Sequence, residues 1–158
     1  MEPDVTIPSH DWLCQQIVEG APDAIIFVDS DGVIRLWNAG AEAMFGHGAA
    51  EATGQTLDLI IPERLRERHW EGYRTVMSSG VTKYAEGLLA VPAVTKDGAR
   101  ISIEFTISLL KDTTGVPLGA AAVIRNVTER RAGERETQER IAQLEAQVAA
   151  GGPPAEPK

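Results

Sequence analysis

The segment PERLRERHWEGYRTVMSSGVTKYAEGLLAVPAVTKDG, residues 62–98, reads as a helix, an extended run and a tight turn in succession. Pro62 has the fixed φ that suits a first helical position, and Glu63 favours the positive end of a helix. Leu65, His69, Tyr73 and then Val76 or Met77 recur at steps of three and four, which places them on one face. Arg64, Glu67, Arg68, Glu71 and Arg74 fall off that face and can stay in water. A histidine therefore lies in the middle of an apolar stripe, where a core should be. Ser78, Ser79 and Gly80 end the helix, residues 83–94 read as a strand, and Asp97-Gly98 turns the chain into the next one.

Upstream, Asp11 can cap a short helix whose Trp12, Leu13, Gln16 and Ile17 form an apolar stripe. The glycine and proline of residues 20–23 break it. Residues 24–29 (AIIFVD), the turn Ser30-Asp31-Gly32 and residues 33–37 (VIRLW) make a β-hairpin. Asn38 caps an Ala-rich helix that ends near Phe45-Gly46. Residues 45–62 read as short helices and loops. His47, between two glycines, is expected to be exposed, and His10 is expected in a loose tail.

Downstream, residues 100–110 (RISIEFTISLL) alternate well, with Ile101, Ile103, Phe105, Ile107 and Leu109 on one face of a half-buried antiparallel strand. Residues 118–125 form a last strand whose alanines leave room over the sheet for a helix or a ligand. From residue 128 the chain is helix-forming apart from Gly133, and Ile141, Leu144 and Val148 fit a and d positions. The expected plan is a tail over residues 1–10, a flanking helix over 11–19, a sensor domain over 20–127, an exit helix over 128–149 and a tail over 150–158.

His69 admits two readings. It is a core imidazole satisfied by a backbone carbonyl, or it is an axial haem ligand, a role that suits neutral imidazole. Gly72, without a side chain, could let a flat macrocycle approach the helix.

Two motifs carry a family resemblance. Residues 19–46, EGAPDAIIFVDSDGVIRLWNAGAEAMFG, resemble the opening of a PAS domain, and Asn126-Val127-Thr128-Glu129-Arg130 resembles its exit motif with Asn in place of Asp. The run Arg66-Glu67-Arg68-His69 with Tyr73, followed by Lys96-Asp97-Gly98, resembles the haem-binding PAS domains of bacterial oxygen sensors, in spacing as well as type. The resemblance implies an α+β PAS fold, a five-stranded antiparallel sheet with its helices on one face, flanked by an N-terminal helix and a C-terminal signalling helix. It implies haem b held through His69, with Tyr73 packed on or near the macrocycle. Lys83 is a propionate partner by charge, and Leu89, Phe105 and Ile107 form the distal wall. Leu89 stands where the oxygen sensors carry an arginine, and Gly87 where an enteric member of that group carries a methionine. A distal side without a donor favours CO, NO or redox sensing over tight oxygen sensing.

Charge and composition limit the alternatives. With 23 acidic against 15 basic side chains and a net charge of -8, the chain is a poor ligand for nucleic acid. Cys14 is the single cysteine, which excludes an internal disulfide and speaks against a cysteinyl-flavin photosensor. No run approaches about 18 apolar residues and no secretory leader is legible, so a cytoplasmic protein without membrane contact is expected. No nucleophile–base, paired-carboxylate or phosphate-loop pattern points to an enzyme. The expected partners are a second copy, through the Trp12 helix and the C-terminal helix, and a separate effector such as a sensor kinase. Two readings compete with haem: a cofactor-free PAS dimerisation or interaction module, and a flavin or small-metabolite sensor for which Trp37 and Asn38 are available.

Overall fold

The computed structural model describes residues 8–82 and 87–151. Helix α1 (His10–Gly20) precedes the hairpin β1 (Ala24–Asp29) and β2 (Ile34–Trp37). Three helices follow: α2 (Ala39–Phe45), α3 (Ala49–Ala52) and, after a 3-10 turn at Leu57–Leu59, the long α4 (Glu63–Ser79). Strands β3 (Leu89–Val94), β4 (Arg100–Lys111) and β5 (Pro117–Asn126) complete one five-stranded sheet in the order β2-β1-β5-β4-β3, antiparallel throughout. Helix α5 (Thr128–Gly151) belongs to a second compact unit.

The period of two along the strands sets the core. In β1, Ala24, Ile26 and Val28 are buried and alternate with half-buried neighbours. In β4, Ile103 is buried, and Phe105 and Ile107 lie on its face. Phe45 and Ile34 close the core from α2 and β2, both at 0 % exposure.

Asn38 is the main polar element inside. Its Oδ1 accepts from Ala41 N–H at 2.9 Å, capping α2, and from Ile25 N–H at 2.8 Å. Its Nδ2 donates to Val18 O at 2.8 Å and Asp23 O at 3.1 Å. One amide thus ties α1, β1 and α2 together. Gly40 allows this closeness, because a Cβ there would stand 2.2 Å from the Asp23 carbonyl oxygen.

Several expectations are corrected. Ser9, not Asp11, caps α1: its side chain accepts from Trp12 N–H, and His10 is the first helical residue rather than part of a tail. Among the described residues the third strand starts at Leu89, and the expected start near residue 83 lies outside them. Its last ladder pair is Leu89 with Phe105, and before it come exposed Leu88 and Gly87, which has no side chain to pack. His47 is buried, not exposed: Gly46 reverses the chain in the left-handed region, and Trp37 Nε1 donates to the His47 carbonyl at 2.9 Å.

Candidate functional site

Helix α4 lies over the sheet and leaves a pocket of about 140 Å³ between them. Ile26 and Val28 of β1, Ala120 and Ala122 of β5, and Ile103, Phe105 and Ile107 of β4 form its floor. Leu57, Ile60 and Ile61 close one wall, β3 a second, and His69 and Tyr73 of α4 the roof. The alanines of β5 do leave the space expected of them. An Ile or Phe at either position would fill it.

The roof is held in place by two aromatic side chains. The Tyr73 hydroxyl lies 3.0 Å from Val28 O and 2.6 Å from Asp29 O, and shares its proton between the two carbonyls. Burial, and then the Asp29 charge, push its pKa up to about 12, so the phenol stays a donor. Burial on its own would raise Asp29, but the Val33 N–H, the Arg35 side chain and the Asp31 N–H hold it below its ordinary value. Trp70 packs against Gly32, where a Cβ would stand 2.8 Å from the indole, and donates Nε1 to Asp58 at 2.8 Å. Arg66 adds hydrogen bonds to Asp58 O at 2.9 Å and Ile61 O at 3.1 Å. These bonds fasten α4 to the 3-10 turn.

His69 is framed by these rings, with Trp70 edge-on at 4.6 Å and Tyr73 roughly parallel at 6.1 Å. Its Nδ1 is buried without a hydrogen-bond partner. Burial lowers the imidazole's pKa, against the Asp58 charge, which raises it. The expected carbonyl satisfying a core histidine is therefore absent at Nδ1, and the neutral ring is favoured.

The structure brings His69, Tyr73, Phe105 and Ile107 to one pocket. Leu89 is not among the lining side chains, although its pairing with Phe105 puts both on one face of the sheet, and Leu88 is 63 % exposed. Lys83 lies outside the described residues. Gly72 is exposed and absent from the pocket wall, so it offers no cradle there. Trp37 and Asn38, available to a flavin on sequence grounds, are both buried and engaged in core hydrogen bonds. Cys14 is exposed on α1. Trp70 and Asp58 escaped the sequence reading. The one available signal was an indole next to the apolar stripe, a large ring that needs cover.

A donor set of one neutral imidazole in an apolar wall suits haem iron. The volume is short of the roughly 300–1,000 Å³ usual for ligand sites, so a macrocycle enters only if the pocket widens. Among the described residues no group of three His, Cys, Asp or Glu side chains could hold a metal without such a cofactor. No described helix is long and apolar enough to cross a membrane.

This sheet, with its helices over one face and a pocket beneath the long helix, defines a PAS domain. The family model described as PAS fold matches residues 18–132, and the chain belongs to that family. Among curated proteins it is similar to the sensor protein FixL of Bradyrhizobium diazoefficiens, 28% identical over 137 residues, covering 85% of this chain and 25% of that protein. It is also similar to the cell-division control histidine kinase PdhS of Brucella ovis, 25% identical over 82% of this chain and 12% of that protein. The chain thus spans a quarter or less of these relatives. A solved PAS domain from Colwellia psychrerythraea superposes with a TM-score of 0.67 at 21% identity, over 77% of this chain and 99% of that one. A sensory box histidine kinase/response regulator from Burkholderia thailandensis gives 0.59 at 17% identity, over 84% and 98%. The chain is a signal-sensing domain of the kind found in sensor kinases.

Proposed function

We propose that this domain holds haem b through His69 and reports a diatomic gas (O2, CO or NO) or redox state to a signalling partner. One observation carries the reading: an imidazole in an apolar pocket wall, neutral by burial, with a buried nitrogen that nothing satisfies. Bound there through His69, haem would supply an iron able to take up a diatomic gas or change oxidation state. The chain's own residues supply the surroundings. Tyr73 fixes the helix that carries His69 to β1, and Phe105 and Ile107 give an apolar opposite wall. Leu89 carries no hydrogen-bond donor, so from this position the chain would offer a polar ligand none, which favours CO over O2 as the signal. Lys83 joins the site on charge alone.

For output, α5 exposes Ile141, Leu144 and Val148 at a and d spacing, and an isolated helix gains little unless that stripe is covered. A second copy is the partner proposed for it, with exposed Trp12 of α1 adding to the contact, and a kinase-type effector in the cytoplasm completes the path.

A second reading has its own support. A pocket of about 140 Å³ is close to the roughly 150 Å³ apolar cavity that a protein can keep dry. That favours a cofactor-free interaction module. Absorption spectra of haemin-reconstituted protein decide between them, wild type beside His69→Ala, oxidised, reduced and with CO. A sharp Soret band that moves with CO and is lost in the variant supports His69 ligation. A broad band identical in both proteins removes haem from the account.

A further inference from the structure

The corner where α2 and α3 meet the β3–β4 turn holds a second buried imidazole. His47 is 7 % exposed, and neither of its ring nitrogens has a hydrogen-bond partner. The residue itself is well anchored, with its carbonyl on Trp37 Nε1 and its ring edge-on to the Trp37 ring at 6.5 Å. Unpaired buried polar atoms are rare because each forfeits its bonds to water.

The nearest polar atom is within easy reach. His47 Nδ1 lies 3.6 Å from one oxygen of Glu51, just too far for a hydrogen bond. The other oxygen of that carboxylate takes Lys96 Nζ at 2.6 Å. Lys96 sits in the turn, whose backbone is tied to α2 by Lys96 N–H donating to Phe45 O at 2.8 Å. Glu42 of α2 is the other charge at this corner, and its Oε1 is held by Ala49 N–H at 2.5 Å. From β2 comes Trp37, which carries no charge. One carboxylate thus stands between an imidazole and an ammonium.

We infer that His47, Glu51 and Lys96 form a proton-operated latch between α3 and the β3–β4 turn. With His47 neutral, Glu51 belongs to Lys96 and the turn is pinned. Once a proton from solvent occupies Nδ1, the imidazolium has no other described carboxylate so near, and Glu51 closes onto it. Lys96 then holds a shared carboxylate, and the turn loosens. The Lys96 hydrogen bond is also the largest influence holding the Glu51 carboxyl below its ordinary value, so this carboxylate is charged and available. The turn is the end of β3, whose Val91, Pro92 and Ala93 line the pocket, so the latch reaches the sensory cavity. The inference stands whether or not haem binds His69.

The test is an NMR pH titration of the full chain, following the His47 ring protons and the backbone amides of residues 95–99. The expected result is one common midpoint for ring and turn. In Glu51→Gln the ring midpoint moves to lower pH, equivalent to roughly fivefold weaker proton binding for the loss of a nearby opposite charge. In Lys96→Met the ring still titrates, at a higher midpoint, while the turn amides no longer follow it. Glu51 and Lys96 are each about half exposed, so both variants are expected to fold. A ring midpoint unchanged in Glu51→Gln, or turn amides that ignore the ring titration in wild type, overturns the latch. So does a His47 ring that takes no proton while the protein remains folded.

Discussion

The helical side of the sheet is built in two halves of opposite chemistry. Around α1, α2 and the β1–β2 hairpin, polar bonds knit the segments together: five at the Asn38 side chain, one from the Trp37 indole, and the Arg125–Asp23 pair at 2.8 Å. Over the pocket, α4 meets the sheet through apolar side chains and the Tyr73 hydroxyl. The difference assigns roles. A satisfied polar network holds one arrangement and loses much when any member goes, whereas apolar contacts across a partly empty space tolerate displacement. The stitched half is a frame, and the half over the pocket is the part a ligand can move.

The comparison breaks first at Asn38. Replacing it with Ala removes a helix cap and leaves the Ile25 N–H and the Val18 and Asp23 carbonyls to find other partners, so unfolding free energy in urea should fall by roughly 3 kcal/mol. A loss under about 1 kcal/mol would mean that the network is solvated and the frame is not a frame.

Tyr73→Phe tests the other half and should cost less, about 1–2 kcal/mol, because one shared hydroxyl is lost from an otherwise apolar contact. The wild-type protein adds a signature of its own. With the folded phenol raised to about 12 from 10.0, the unfolded chain gives up its proton first as pH climbs. Stability from this group is whole below the unfolded value and is lost as pH rises toward the folded one, and Tyr73→Phe should remove that part of the alkaline decline in urea midpoint.

The two halves also differed in how far they could be read from the chain. The stripe of Leu65, His69 and Tyr73 obeys a local period, so the inward direction of His69 followed from spacing, as did the strand face of Ile103, Phe105 and Ile107. The Asn38 cap was equally local. Its other bonds reach residues 13 to 20 positions away, and no short-range pattern encodes them. His47 was read as exposed because two glycines flank it. Its carbonyl takes a bond from Trp37, ten residues back, and its ring meets the Trp37 ring edge-on, contacts that flanking glycines do not announce. Leu89 was assigned by matching positions along the chain, but it sits at the end of the ladder with β4 and is not among the side chains that line the pocket.

The finest test of the contrast is the pH response of the His69 imidazole. His69 has burial acting against its charged form, with only the Asp58 carboxylate to offset it, so its folded pKa lies below the ordinary 6.5. As pH falls through 6.5 the unfolded chain binds a proton that the folded pocket resists, and stability declines until the folded value is passed. Above that window the group has no effect on the balance. Urea midpoints measured across this range should therefore fall more steeply in wild type than in His69→Leu, with the difference between the two curves flat at neutral pH and above. If the difference curve for His69 is flat throughout, water reaches its ring as freely as in the unfolded chain. The pocket is then wet, and the apolar half loses the property that sets it apart from the frame.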